Sequence, residues 1–232
     1  MNSIPANFKT HITIIRQRLL DHFGMPEWRN PLPAVDELVS TILSQNTNDA
    51  NRDAAFDQLT SRIPSWEAVM DAPEQEVIEA IRTAGLANQK GPRIQKALRD
   101  ISKHTGGKLN LDFLKAMSRE EARKWLIGVK GVGPKTAAIV LLFSLGVPAF
   151  PVDTHIYRVT GRLGLRPEDL SVEKAHLFLE ERIPEDFFYD LHLNIIRLGR
   201  EVCSARKWYC DRCPLVDLCA FETKHFTSTK PE

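Results

Sequence analysis

Apolar residues recur at helical spacing through almost the whole chain, and no run of β-branched residues sustains an alternation with a period of two. That periodicity restricts the chain to an all-α fold, because only a repeat near 3.6 residues would gather these side chains on one face. The punctuation agrees. Ser118 and Glu121 form a capping-box pattern ahead of Ala122 to Ile127, Asp71 with Pro73 and Glu74 reads as a helix start, and Gly146 with Pro148 reads as a helix end. Phe188, Leu191, Ile195 and Leu198 make an apolar stripe ending at Gly199, which predicts a helix delivering the chain to a group of cysteines.

A chain of 232 residues suits one large domain or two small ones around a cleft. Pro and Gly concentrate at Pro26 to Pro33 and at Gly146 to Pro151, the expected crossings between lobes, and Thr227 to Glu232 reads as a flexible tail. No apolar run approaches the roughly 18 residues that span a bilayer, and the patch at Ile12, Ile14 and Ile15 lacks the flanks of a signal peptide. An intracellular, cytoplasmic protein with no membrane partner is expected. The net charge of +1 makes no global case for a polyanionic partner. Basic residues cluster nonetheless at Lys90, Arg93, Lys96 and Arg99, around Lys130 and Lys135, and at Arg197, Arg200, Arg206 and Lys207, with acidic residues gathered at Asp71 to Glu79 and Glu180 to Asp186. One basic face for nucleic acid, or plain solvated helices, would give this segregation.

The cysteines are Cys203, Cys210, Cys213 and Cys219, spaced C-x6-C-x2-C-x5-C with none left over. Thiolates so close in sequence can surround one metal centre, and disulfides do not suit a cysteine-poor intracellular chain. A structural zinc usually takes two close pairs or adds histidines, whereas only Cys210 and Cys213 form a close pair here. The wider outer spacings suit a cuboidal [4Fe-4S] cluster, each iron taking one thiolate. Between the first two cysteines lie Arg206 and Lys207, which a metal-pinned loop would hold ready for phosphates.

The segment from Gly128 to Ala137 sits between two helical patterns, one ending at Ile127 and one running from Thr136 to Leu145, and reads as helix-hairpin-helix. Gly131 and Gly133 can take backbone angles closed to other residues and let the main chain of Lys130, Gly131, Val132 and Gly133 approach a phosphate at the second helix's N-terminus. A glycine turn between packed helices is the plainer reading. Lys135 falls in the first turn of that helix, where the dipole and any burial disfavour its positive charge, so a lowered pKa is expected. Such an amine can form a Schiff base with a sugar carbon; simple phosphate contact is the other role open to it.

Asp153, in Pro151-Val152-Asp153-Thr154-His155-Ile156, sits at a predicted N-cap. Capping is its minimal role. A carboxylate there can also stabilise an oxocarbenium-like sugar while an N-glycosidic bond breaks.

With these motifs placed, the chain resembles endonuclease III of the helix-hairpin-helix DNA glycosylase superfamily. The hairpin with Lys135, the V-D-T-H-I segment with Asp153 eighteen residues later, the cysteine spacing, and Ile81 to Lys90, which looks like the family's wedge loop, carry the resemblance in the family's order. The resemblance implies a two-domain fold. A six-helix barrel would run from about Asp36 to Gly146, with the hairpin at about 122–145; residues 1–35 and 147–225 would form an iron-sulfur cluster domain, and 226–232 a flexible tail.

It further implies a monomer acting on double-stranded DNA that carries a damaged base or an abasic site, with DNA across the cleft, Lys135 displacing the base and permitting β-elimination, and Asp153 assisting base loss. Oxidised pyrimidines are the family's usual substrates and the cluster is mainly structural. Leu86 would fill the hole left by the flipped base. The family's second filler is a glutamine, and ungapped matching puts Asn46 rather than Gln45 at that position. Two rivals differ in class. A monofunctional mismatch glycosylase acting on thymine or uracil uses water and needs no Lys135, and a non-catalytic iron-sulfur redox sensor on DNA needs neither Lys135 nor Asp153.

Overall fold

The helical periodicity resolves, in a computed structural model that describes residues 4–27 and 31–225, into eleven α-helices with short 3-10 turns and no strand among those residues. The expectation for Thr227 to Glu232 lies outside the described residues, as does part of the expected crossing near Pro26 to Pro33. Packing divides the chain into two units, Met1–Arg29 with Ala149–Glu232, and Asn30–Pro148.

The first unit opens with α1 (Phe8–Phe23), whose N-cap Asn7 accepts the Thr10 N–H at 3.2 Å and whose buried stripe is Ile12, Ile15 and Leu19.

The Asn30–Pro148 unit then takes α2 (Ala34–Leu43), α3 (Asp49–Arg62), α4 (Trp66–Asp71), α5 (Glu74–Ala80), α6 (Ala87–Thr105), α7 (Arg119–Gly128) and α8 (Pro134–Ile139). Its core is built from Val35, Leu38, Val39 and Ile42 of α2, Leu59 of α3, Ile94, Leu98 and Ile101 of α6, and Leu126 of α7, all buried. The capping box is present as predicted: the Glu121 carboxylate accepts both the Ser118 N–H (2.9 Å) and the Ser118 hydroxyl (2.7 Å), and these bonds hold its pKa below the usual carboxylate range.

Two local expectations are corrected. Asp71 closes α4 instead of opening the next helix, because Pro73, extended at ψ 132° and lacking an N–H, takes the N-cap position of α5. The helix expected to run to Leu145 is α-helical only to Ile139 and continues as a π-helical turn, Val140–Leu145, capped by Gly146 at φ 66°. That wider turn buries Val140, Leu141, Leu142, Phe143 and Leu145.

The chain returns to the first unit with α9 (Thr154–Arg162), α10 (Val172–Glu180) and α11 (Phe188–Glu201). Helix α11 packs on both α1 and α9. It buries the predicted stripe, and it also buries Asp190, His192 and Asn194, which no apolar periodicity marks. Each buried polar group is answered within the unit. The Arg16 guanidinium of α1 clasps both oxygens of Asp190, Asn194 Nδ2 donates to Gly24 O at 3.2 Å, and His192 Nδ1 donates to Pro151 O at 3.0 Å.

Removing the Asp190 carboxylate leaves Arg16, itself mostly covered, without its charge partner. Asp190→Ala is expected to lower unfolding free energy by about 2–4 kcal/mol, read from the midpoint shift in urea denaturation at constant slope.

Candidate functional site

Two loops of the Asn30–Pro148 unit carry unusual backbone. Among the described residues the non-glycine positions at positive φ are Asn46 (φ 53°) and Leu86 (φ 51°). Asparagine tolerates this region; leucine does not, and the left-handed conformation costs an L-residue about 1–2 kcal/mol. Burial does not offset that cost at Leu86, whose side chain is 47% exposed. No burial within the fold accounts for the left-handed leucine. Asn46 is exposed as well, whereas Gln45 turns back toward α6 and accepts from Arg93 Nη1 at 3.2 Å.

Behind these loops stands Lys90. Either reading of the basic cluster, DNA-facing or plainly solvated, puts Lys90 at the surface, but it is 1% exposed and its ammonium donates to Leu43 O at 2.7 Å and Ala84 O at 2.8 Å. Burial pushes its pKa down. The sequence held a signal for this: Lys90 falls on the same helical stripe as Ile94, Ala97, Leu98 and Ile101. Its neighbours do not make a free basic face either. Lys96 pairs with Asp100, and Arg99 Nη2 donates to Met70 O at 3.0 Å.

Between α7 and α8 the chain makes a tight reversal in which the Val132 N–H closes onto Val129 O at 3.0 Å. Gly131 sits at φ +93°, and a Cβ there would meet the stem of Arg93 at 3.3 Å, so this glycine answers both backbone angle and space. Gly133 does not need its freedom of φ. It is extended (φ −96°, ψ 176°) at the N-cap, and a Cβ on it would meet no atom within 4 Å, so its smallness leaves the outer surface open rather than relieving the fold. The Val132 side chain is turned into the core, which leaves the exposed Lys130 and the two glycines as the outward part of the hairpin. Pro134 and the half-buried Lys135 begin α8.

Asp153, in the other unit, is the N-cap of α9, with Oδ1 accepting the Ile156 N–H at 2.8 Å. The strand of chain before it is anchored at every residue: Phe150 N–H donates to Glu180 (2.9 Å), Pro151 O accepts from His192, and Val152 N–H donates to His176 Nδ1 (3.2 Å). The carboxylate therefore sits on a fixed backbone, and Arg158, one turn on, contributes a favourable charge. Arg158 also donates to Cys203 O at 3.0 Å and Gly199 O at 2.8 Å, joining the helix that Asp153 caps to the first cysteine.

The cysteine segment folds back on itself. Cys203 bridges Trp208, Tyr209 N–H donates to Val202 O at 2.9 Å, and Cys210 N–H donates to His225 O at 2.9 Å. Two of the sulfurs accept a hydrogen bond, Cys203 from Arg162 Nη1 (3.0 Å) and Cys210 from the His225 N–H (3.3 Å), whereas the Cys219 thiol donates to Arg162 O at 3.3 Å. Arg162 is itself held between the Trp208 and Phe221 rings, 4.7 Å from each. Burial, reinforced by the neighbouring cysteines, pushes the Cys213 thiol up to about 11. The four thus lie within electrostatic reach of one another, although among the described residues no three His, Cys, Asp or Glu side chains converge as ligands of a single ion. The donors at Cys203 and Cys210, which suit thiolates bound to metal, have no signature in the cysteine spacing. Arg206 and Lys207 are exposed in this segment.

No helix among the described residues is long and apolar enough to cross a membrane. Residues 39–185, more than half of the chain, match the HhH-GPD superfamily of base excision DNA repair proteins. Endonuclease III of Sulfolobus acidocaldarius is 32% identical over 222 residues, 95% of each chain. An Arabidopsis thaliana protein whose name places it among DNA glycosylases is 35% identical over 192 residues; the match covers 78% of this chain and 65% of that protein. Among solved structures, a trapped covalent intermediate of endonuclease III with DNA superposes with a TM-score of 0.78 at 28% identity, covering 91% of this chain and 95% of the other. The chain belongs to the HhH-GPD superfamily of base excision DNA repair proteins and, with the endonuclease III proteins inside it, is a DNA glycosylase and abasic-site lyase.

Proposed function

We propose that this protein removes damaged bases, oxidised pyrimidines foremost, from double-stranded DNA by attack of Lys135. The observation that carries this reading is the likeness to an endonuclease III captured in covalent linkage to DNA, because such a linkage needs a protein nucleophile. Lys135, in the first turn behind the hairpin, is the amine suited to it. Its neutral Nζ attacks the sugar C1′, the bond from C1′ to the base breaks, and the base leaves with a proton. The C1′–O4′ bond then breaks, O4′ taking a proton as the ring opens to the Schiff base, which acidifies the C2′ hydrogen, and loss of that proton expels the 3′ phosphate. Hydrolysis returns the amine. Asp153 stabilises positive charge on the sugar while the base departs; the cap engages Oδ1, and the anchored backbone fixes where the carboxylate stands.

Lys130 with the backbone at Gly131 and Gly133 grips a phosphate, and Arg206 and Lys207 engage the backbone elsewhere. Leu86 and Asn46 fill the gap left by the flipped base. Their exposure and left-handed backbone support this, and the Gln45 contact to Arg93 makes Asn46 the better candidate of that pair. In this reading Asn30–Pro148 is the barrel unit bearing the hairpin, and the other unit is the cluster domain. Cys203, Cys210, Cys213 and Cys219 would hold a [4Fe-4S] cluster, which when bound supplies a rigid cross-link. The hydrogen bonds to the Cys203 and Cys210 sulfurs support it, and one thiolate per iron does not require four sulfurs around one point.

Borohydride trapping on a duplex with an abasic site or thymine glycol is expected to give a covalent adduct with the wild type. Lys135→Gln should bind the duplex and give none, and Asp153→Asn should turn over about 10²–10⁴-fold more slowly. Absence of any adduct with iron-loaded wild type would leave a water-using glycosylase as the better account. Leu86→Gly should raise thermal stability by about 0.5–1 kcal/mol, by relieving the left-handed leucine, yet weaken binding to the abasic duplex. In Cys213→Ser, bound iron and the broad visible absorption of a thiolate-ligated cluster are expected to disappear together.

A further inference from the structure

Lys90 has no place in the chemistry above, and yet it is among the largest fully buried side chains of the protein. Placing a lysine in the core is costly unless its donors are met. Here both acceptors are main-chain carbonyls at the roots of the two strained loops. Leu43 O ends α2, three residues before Asn46, and Ala84 O lies two residues before Leu86, with Gly85 between at φ 68°. The two roots meet at one nitrogen atom.

The same helix supplies a second strut one turn on. Arg93 Nη1 holds Gln45, and the Arg93 stem lies against Gly131 of the hairpin. Three outward loops are thus tied to the first turns of α6, and Lys90 is the buried tie.

We infer that Lys90 is a positioning residue: its ammonium sets the spacing and direction of Asn46 and Leu86, so that both enter the DNA stack together when a base is flipped. The inference rests on the gap-filling reading of those two residues. A hydrophobic core residue would satisfy packing here, but it could not hold two carbonyls at one point. Two loops that stand apart would each have to be ordered on binding, whereas loops already tied enter the duplex as one piece.

The test is a double-mutant cycle on the full-length, iron-loaded protein, with Kd measured on a duplex carrying a tetrahydrofuran abasic analogue and 2-aminopurine opposite it to report stacking by fluorescence. Lys90→Met keeps length and removes the donors. It is expected to weaken binding about tenfold and to reduce the 2-aminopurine signal change. In the Asn46→Ala, Leu86→Ala background the same substitution should change Kd less than twofold, because the tie would have nothing left to position. A merely structural role would instead weaken both backgrounds equally, and that result, or an unchanged Kd in the single variant, would overturn the inference. If Asn46→Ala, Leu86→Ala itself binds like the wild type, the gap-filling reading fails and this inference falls with it. Should Lys90→Met not fold, Lys90→Gln, whose shorter arm keeps a donor but cannot reach both carbonyls, enters the same cycle, and the same two outcomes decide.

Discussion

A buried ammonium must find acceptors, and in this protein that requirement joins parts of the chain that are far apart in sequence. Lys90 finds them in Leu43 O and Ala84 O, and in doing so it closes α2, the Gly85 turn and α6 around a single atom. The left-handed backbone at Asn46 and Leu86 costs energy that the loops themselves do not return. It persists because the surrounding unit over-determines it, through the tie at Lys90 below and the contact of Arg93 with Gln45 beside it. A local strain and a buried polar group are in this sense one construction, with the strain displayed outward and its anchorage in the core.

The other unit solves a parallel problem with a different set of groups. Helix α11 carries an apolar stripe and three buried polar residues, and those polar residues specify which segments lie against it: Asp190 selects Arg16 of α1, Asn194 the turn at Gly24, and His192 the chain just before Asp153. Its C-terminal end delivers Cys203. Arg158 and Arg162, on one face of α9, then reach a backbone carbonyl and the sulfur of that same residue. The catalytic candidate Asp153 and the cysteine centre therefore share a scaffold, since α9 begins at one and contacts the other.

Much of this was legible in order along the chain, because the signals are local. The capping box at Ser118 and Glu121, the Asp153 cap, the α11 stripe and the outward Lys130 depend on residues within a turn or two of one another, and the structure has them where the pattern puts them. The misreadings arise where a local pattern has two physical solutions. Lys90 belongs by charge to a row of cations and by position to the apolar stripe, and the packing follows the stripe. The pattern offers Gly133 as a glycine needed for its backbone angle, whereas the hairpin takes that freedom at Gly131 alone. Asp71 looked like a cap, and Pro73 took the position because its missing N–H suits a helix start.

The sequence by itself determined the helical class, the hairpin, the cysteine set and the two residues proposed for the chemistry, since periodicity, glycine placement and ligand spacing act over a few residues and survive any packing. Only the tertiary structure decided which of Gln45 and Asn46 turns outward, that Leu86 stands exposed in a left-handed conformation, that the Cys203 and Cys210 sulfurs receive donors, and that a lysine lies inside the protein. Those outcomes depend on hydrogen bonds between segments tens of residues apart. Whether a polar group is buried, and what answers it there, is settled by which backbone carbonyls arrive beside it when the helices pack.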